Sequence, residues 1–208
     1  YPSTIIPRLH VLSHKVLPHG LNELNLLTEV KIDDYAKVKF DLINLLLPIV
    51  GDEKLCEIIL MNLISGIYMR KDLELLGKLT VNLVKGNQYV KVTKKNGDVI
   101  NHRLADVLFR LIKKLVPASL RLDVDLKGLQ NVSLQPKKNH DLNCIDKGLL
   151  QMASHTSLLL DETNLSSGVL GETGVKNVNA LKHLIDNQAI QCDFSYYEVF
   201  FVIPNLTS

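Results

Sequence analysis

The stretch Thr-Ser-Leu-Leu-Leu-Asp-Glu-Thr at 156–163 constrains this chain more than any other. Three consecutive leucines, Leu158, Leu159 and Leu160, offer no polar face. A strand of that kind is covered on both sides, which places it at the centre of an α/β layer structure and not on a half-solvated antiparallel sheet. Two carboxylates, Asp161 and Glu162, close it. In nucleotide-hydrolysing α/β proteins a carboxylate pair in that place holds magnesium and activates water, but only where a Gly-Lys-Ser/Thr loop cradles the phosphates. Neither Gly-Lys-Ser nor Gly-Lys-Thr occurs in the chain. Read from the residues alone, the pair is half a nucleotide site, or simply a cap on the segment that follows the strand.

With 208 residues the chain can bury a sizeable core, as one domain or one domain with a helical appendage. Its 24 basic and 22 acidic side chains nearly cancel, to a net charge of +2, so bulk electrostatics call for neither a nucleic-acid nor a membrane-surface partner. Cys56, Cys144 and Cys192 are odd in number and far apart, which fits reduced thiols in an intracellular compartment and no structural disulfide. No apolar run reaches the roughly 18 residues of a membrane span. The richest, at 45–50, is interrupted by Pro48 and closed by Gly51. A soluble protein is expected. The chain begins at Tyr1 and ends at Ser208 directly after an apolar strand, so an excised piece, incomplete at its C-terminus, is expected.

Helical spacing covers residues 5–17 and 37–47, and Asp52 caps a third and clearest run, with Leu55, Ile58, Ile59, Leu63, Ile64 and Ile67, reaching about residue 70. Residues 1–50 therefore read as an N-terminal helical segment and 51–208 as the α/β domain. Residues 79–84 alternate with period two and lead into Lys85-Gly86-Asn87, where a nucleotide-binding fold would seat phosphates. The chain spends this position on a hairpin, because Asn96-Gly97 between apolar-alternating arms suits a turn that needs positive φ at both central residues. A helix follows at 103–115, short strands at 120–126 and 132–135, strands at 148–152 and 157–160, a helix at 175–187 and paired strands across 190–203. Alternating helices and strands predict a mostly parallel sheet flanked by helices, with inserted hairpins.

Other chemistry is thin. Lys85, Lys91, Lys94 and Lys95 gather around the hairpin, as a solvated basic turn or as an anion attractant. Among seven histidines, His10 and His14 alone make a helical i, i+4 pair, and no third ligand accompanies them. No cysteine carries a nucleophile signature. Neither a metal nor a cofactor is expected.

Several blocks resemble the family of minichromosome maintenance complex-binding proteins. They are Gly-Asp-Glu-Lys at 51–54 through Leu-Met-Asn-Leu-Ile-Ser at 60–65, Leu-Gly-Lys-Leu-Thr-Val-Asn-Leu at 76–83, Leu-Val-Pro-Ala-Ser at 115–119, Leu-Asp-Glu-Thr at 160–163, Gly-Val-Lys-Asn-Val-Asn-Ala-Leu at 174–181 and Tyr-Tyr-Glu-Val-Phe-Phe at 196–201. That family is in turn similar to the ATPase domain of the minichromosome maintenance (MCM) helicase subunits. The resemblance implies a degenerate AAA+ or P-loop NTPase-like domain, with 79–84 in the place of the phosphate-loop strand and 158–162 in that of the magnesium strand. Where the helicase loop carries glycines and a Lys-Ser pair, this chain has Gly86-Asn87-Gln88-Tyr89, and 189–195 lacks the basic residue that a helicase hairpin turns toward DNA. Asp161 and Glu162 are then relics of a magnesium site, and Asn205 a relic of a phosphate sensor. The resemblance further implies a nuclear, non-catalytic factor of DNA replication that binds MCM helicase subunits, without direct nucleic-acid contact, and governs assembly, stability or unloading of their complex. The competing reading is a divergent ATPase that still uses Asp161 and Glu162.

Overall fold

The computed structural model describes residues 11–14, 32–71, 74–84, 89–93, 99–116, 118–153, 155–194 and 198–202. The first long element, α1 (Ile32–Val50), carries Pro48 in its last turn and stops at Gly51, whose φ of +85° admits a glycine where other residues would be strained. Gly51 N–H still donates to Leu47 O at 2.8 Å. The next helix, α2 (Glu53–Ile64), starts as the sequence predicts: Asp52 accepts from Leu55 N–H at 2.9 Å, and Glu53 lies in the positive first turn.

A short hairpin, β1 (Met69–Lys71) and β2 (Glu74–Leu76), takes the place of the last turn expected of that helix. Then come β3 (Tyr89–Thr93) and β4 (Val99–Arg103), antiparallel around the predicted Asn-Gly turn, whose residues 94–98 lie outside the described ones. Helix α3 (Leu104–Leu115) follows at once and leads to β5 (Ser119–Asp123). After it Asp125 caps a one-and-a-half-turn helix, α4 (Leu126–Asn131), by accepting from Gly128 N–H at 2.9 Å. The remaining elements are β6 (Lys137–Asn139), β7 (Cys144–Asp146), β8 (Ser157–Asp161), α5 (Glu172–Asn187), β9 (Ala189–Asp193) and β10 (Glu198–Val202).

β8 is not the central strand that its leucines predict: among the described residues it pairs only with β5, in a two-stranded sheet. It runs parallel to β5, with Ser119 opposite Ser157 and Asp123 opposite Asp161. Period-two geometry sends its side chains into two different cores. Leu158 and Leu160 pack with Leu129, Leu134, Leu150, Leu181 and Leu184 beneath α4 and α5. Leu159 packs on the other side, with Ile43, Leu46, Cys56, Ile59, Leu108 and Ile112 from α1, α2 and α3. Both faces therefore pack against apolar side chains, with Leu159 and Leu160 half-buried, and the first helix shares its core with the next two.

Four further expectations are corrected. The architecture is mixed α/β, but the sheets are small: among the described residues four of the six strand pairings are antiparallel, and only β5 with β8 and β6 with β9 run parallel. A single mostly parallel sheet is not what these residues build. Residues 79–84 join no ladder among the described residues, and half-buried Leu83 packs against the helical core instead. The strands expected at 120–126, 132–135 and 148–152 shift, since Asp125 is a good cap and turns 126–131 into a helix, and 148–152 form a turn. Residues 11–14 are not helical, and the rest of the run at 5–17 lies outside the described residues.

Candidate functional site

Asp161, the last residue of β8, has a side chain with no solvent exposure. In the parallel register, residues 119, 121 and 123 of β5 share a face with 157, 159 and 161 of β8. That face puts Arg121 beside Asp161, and Arg121 Nη2 donates to Asp161 Oδ2 at 2.7 Å. The same guanidinium donates through Nη1 to Asp106 Oδ1, in the first turn of α3, and through Nε to Asp123 Oδ1 at 2.7 Å. Arg103, at the junction of β4 and α3, donates to both carboxylate oxygens of Asp106 at 3.3 Å and lies 3.9 Å from Asp161 Oδ2. The other oxygen of Asp161 accepts from Thr163 N–H at 3.1 Å and Thr163 Oγ1 at 2.6 Å.

Both oxygens of the buried carboxylate are thus occupied by protein donors. Burial pushes the Asp161 carboxyl up, but the Thr163 hydroxyl and amide, with Arg121 and Arg103, outweigh it and hold the group below its ordinary value. Asp106 is held low chiefly by its bond to Arg121. Burial lowers the affinity of Arg121 for its proton, yet Asp106 and Asp123 more than compensate, so it stays charged. Two arginines and three aspartates tie β5, β8 and α3 together at the point where both strands end.

A cavity of about 690 Å³ opens beside this cluster, between residues 80–84, the start of α3 and residues 157–163. The segment at 79–84 and the carboxylate pair, linked by sequence reasoning alone, do face one space. Glu162 lines it and is exposed, whereas Asp161 turns to the arginines. The two carboxylates do not converge. Among the described residues no three His, Cys, Asp or Glu side chains come together as a metal site. Residues 85–88, Lys94, Lys95, His10 and Asn205 lie outside the described residues, while Lys91 and His14 are exposed. Cys56 and Cys192 are buried, with burial pushing both thiols up, and Cys144 is half-buried.

Arg121, Arg103, Asp106 and Thr163 escaped the sequence reading. A signal was present in Ser-Leu-Arg-Leu-Asp at 119–123, where period two puts a lone arginine on one face with Asp123, but its partner depends on a pairing of strands 40 residues apart. No helix among the described residues is long and apolar enough to cross a membrane.

Residues 1–203 match the family model described as mini-chromosome maintenance replisome factor. A mini-chromosome maintenance complex-binding protein of Gallus gallus is 37% identical over 210 residues, covering 96% of this chain and 31% of its own length. Its counterpart in Homo sapiens is 35% identical over 212 residues, with the same coverage, and that of Drosophila melanogaster 34% identical over 203 residues, covering 94% of this chain and 32% of its own. The chain spans about a third of the length of these relatives. A match of that extent, together with the blocks around Asn62, Asp161 and Asn177, places the chain in the mini-chromosome maintenance replisome factor family.

Proposed function

We propose that this chain is a protein-binding module that engages subunits of the MCM helicase in the nucleus and so governs assembly, stability or unloading of their complex during DNA replication. The observation that carries the reading is its similarity, across nearly its whole length, to proteins named for binding that complex. The state of Asp161 supports a non-catalytic role. A magnesium ligand must present free lone pairs, and both oxygens of Asp161 accept from Thr163 or Arg121, while the positive charge of Arg121 and of Arg103, 3.9 Å away, opposes a cation. The fold is then a reduced relative of the helicase ATPase module. β8 stands in the place of its magnesium strand, and residues 79–84, which join no ladder among the described residues, in that of its phosphate strand.

Co-elution tests the reading: the full-length protein and this segment, each mixed with purified helicase subunits, are passed over a sizing column. A stable complex with at least one subunit is expected. Passage of both as separate species from every subunit would refute it. A divergent ATPase would instead show turnover that vanishes in Asp161→Ala while the protein stays folded.

A further inference from the structure

The near-neutral total hides a polarised chain. By sequence, residues 85–116 carry eight Lys and Arg against Asp98 and Asp106, a net +6, while the remainder carries sixteen against twenty, a net −4. The structure packs α3 of this stretch against its β3 and β4. On α3, Leu108 and Ile112 are buried in the core. Arg110, Lys113 and Lys114 fall opposite them, within an arc of about 100° at 3.6 residues per turn. All three are exposed, as is Lys91 on the outer face of β3. Among the described residues none of the four has an ion-pair partner. The acidic residue on the same face of the helix, Asp106, is already held by Arg103 and Arg121. Lys113 and Lys114 also complement the negative end of the helix, but that reason does not extend to Arg110 or Lys91.

We propose that the outward face of α3, formed by Arg110, Lys113 and Lys114, docks an acidic peptide segment of a protein partner. This deepens the protein-binding reading above and rests on it. Size and charge select a peptide over a nucleic acid. The 12 residues of α3 span about 18 Å, the length of five or six extended residues, so the basic footprint is short. The rest of the chain is net acidic, which opposes a long polyanion. Two of the three cations are lysines, compact point charges that suit carboxylates held by charge.

The test uses the whole chain and a fluorescein-labelled deca-glutamate peptide, read by anisotropy. Saturable binding is expected, and R110E/K113E/K114E should weaken it by about tenfold or more, because like charges then face each other. The milder R110Q/K113Q/K114Q, checked by circular dichroism, should also weaken it, with the fold intact. Reversal of three exposed lysines elsewhere, K127E/K137E/K147E, makes the same change in net charge and should shift affinity less than about twofold, since distant exposed charges are screened. Equal loss in both reversals, no binding by the wild type, or tighter binding of a single-stranded DNA decamer than of the peptide would overturn the proposal. Co-elution of the same variants with helicase subunits separates the two readings. A wild type that binds subunits but not the peptide fails here alone, and one that binds the peptide at α3 but no subunit fails the helicase reading alone.

Discussion

At the scale of single residues, burial decides what Asp161 and Glu162 do. A charged group with no exposure persists only if its lone pairs are filled, and Asp161 fills them with Thr163 and Arg121, with the charge of Arg103 3.9 Å away. Removing it takes from Arg121, itself only 14% exposed, one of three carboxylate partners and leaves the Thr163 hydroxyl and amide without their acceptor. Asp161→Ala should therefore cost about 3 kcal/mol in urea unfolding. Exposed Glu162 has no such partners, and Glu162→Gln should stay within about 0.5 kcal/mol. Equal, small effects would remove Asp161 from its role as a strut. Acid should act through the same group. Asp161 and Asp106 titrate below their ordinary range in the fold, so near that range the native state binds fewer protons than the unfolded chain. The stability they confer is present above about pH 4 and is lost as pH falls through their folded values. Denaturation midpoints should drop between about pH 5 and 3, less steeply in Asp161→Asn than in the wild type.

Elements are held in place by polar groups that reach across the chain. Asn177 on α5 is 3% exposed, donates to Leu129 O and Val132 O at 2.8 and 2.6 Å, and accepts from Leu134 N–H at 3.2 Å. It thereby satisfies carbonyls at the C-terminal end of α4, a task that a local glycine turn performs in many helices. Asn177→Ala should cost about 2 to 3 kcal/mol, because those backbone groups stay buried and lose their partner. Chemical-denaturation curves measure this, and a loss near zero would mean that water replaces the amide. At the other end of α5, Arg70 donates to Asn187 O and Gln188 O, and Lys78 to Ile185 O and Asp186 O, so two cations from the β1–β2 region meet the negative helix end.

These long-range devices also mark where the sequence stops being legible. Asp52 at the start of α2, the hairpin around Asn96-Gly97, the span of α3 and the two-faced β8 follow from local caps, turns and periodicity, and were readable. Residues 79–84 have the alternation of a strand, yet Asn62 Nδ2 binds Leu79 O at 2.6 Å and the helical core takes Leu83, so tertiary contacts override the pattern. The site was half legible in the same sense. Asp161 and its strand could be picked out, but the arginine that occupies it depends on the β5–β8 pairing.

At the scale of the whole molecule, two hydrophobic cores share one strand, and the ion-pair cluster sits where that strand ends. Leu158→Ala and Leu159→Ala remove the same atoms from different cores, so each should cost about 2 to 5 kcal/mol while their effects on α5 and on α1–α3 differ. Hydrogen exchange resolves this: faster exchange in α5 for the first and in α1 to α3 for the second is expected, and identical patterns would mean a single cooperative core. On the proposed reading, such a body, with its carboxylate held by Arg121, serves to hold other proteins. The most direct measurement is a calorimetric titration of purified helicase subunits into this chain, run with and without magnesium ATP. Saturable binding of the same strength in both runs is predicted. Absence of binding to every subunit, or binding that needs the nucleotide, would contradict it.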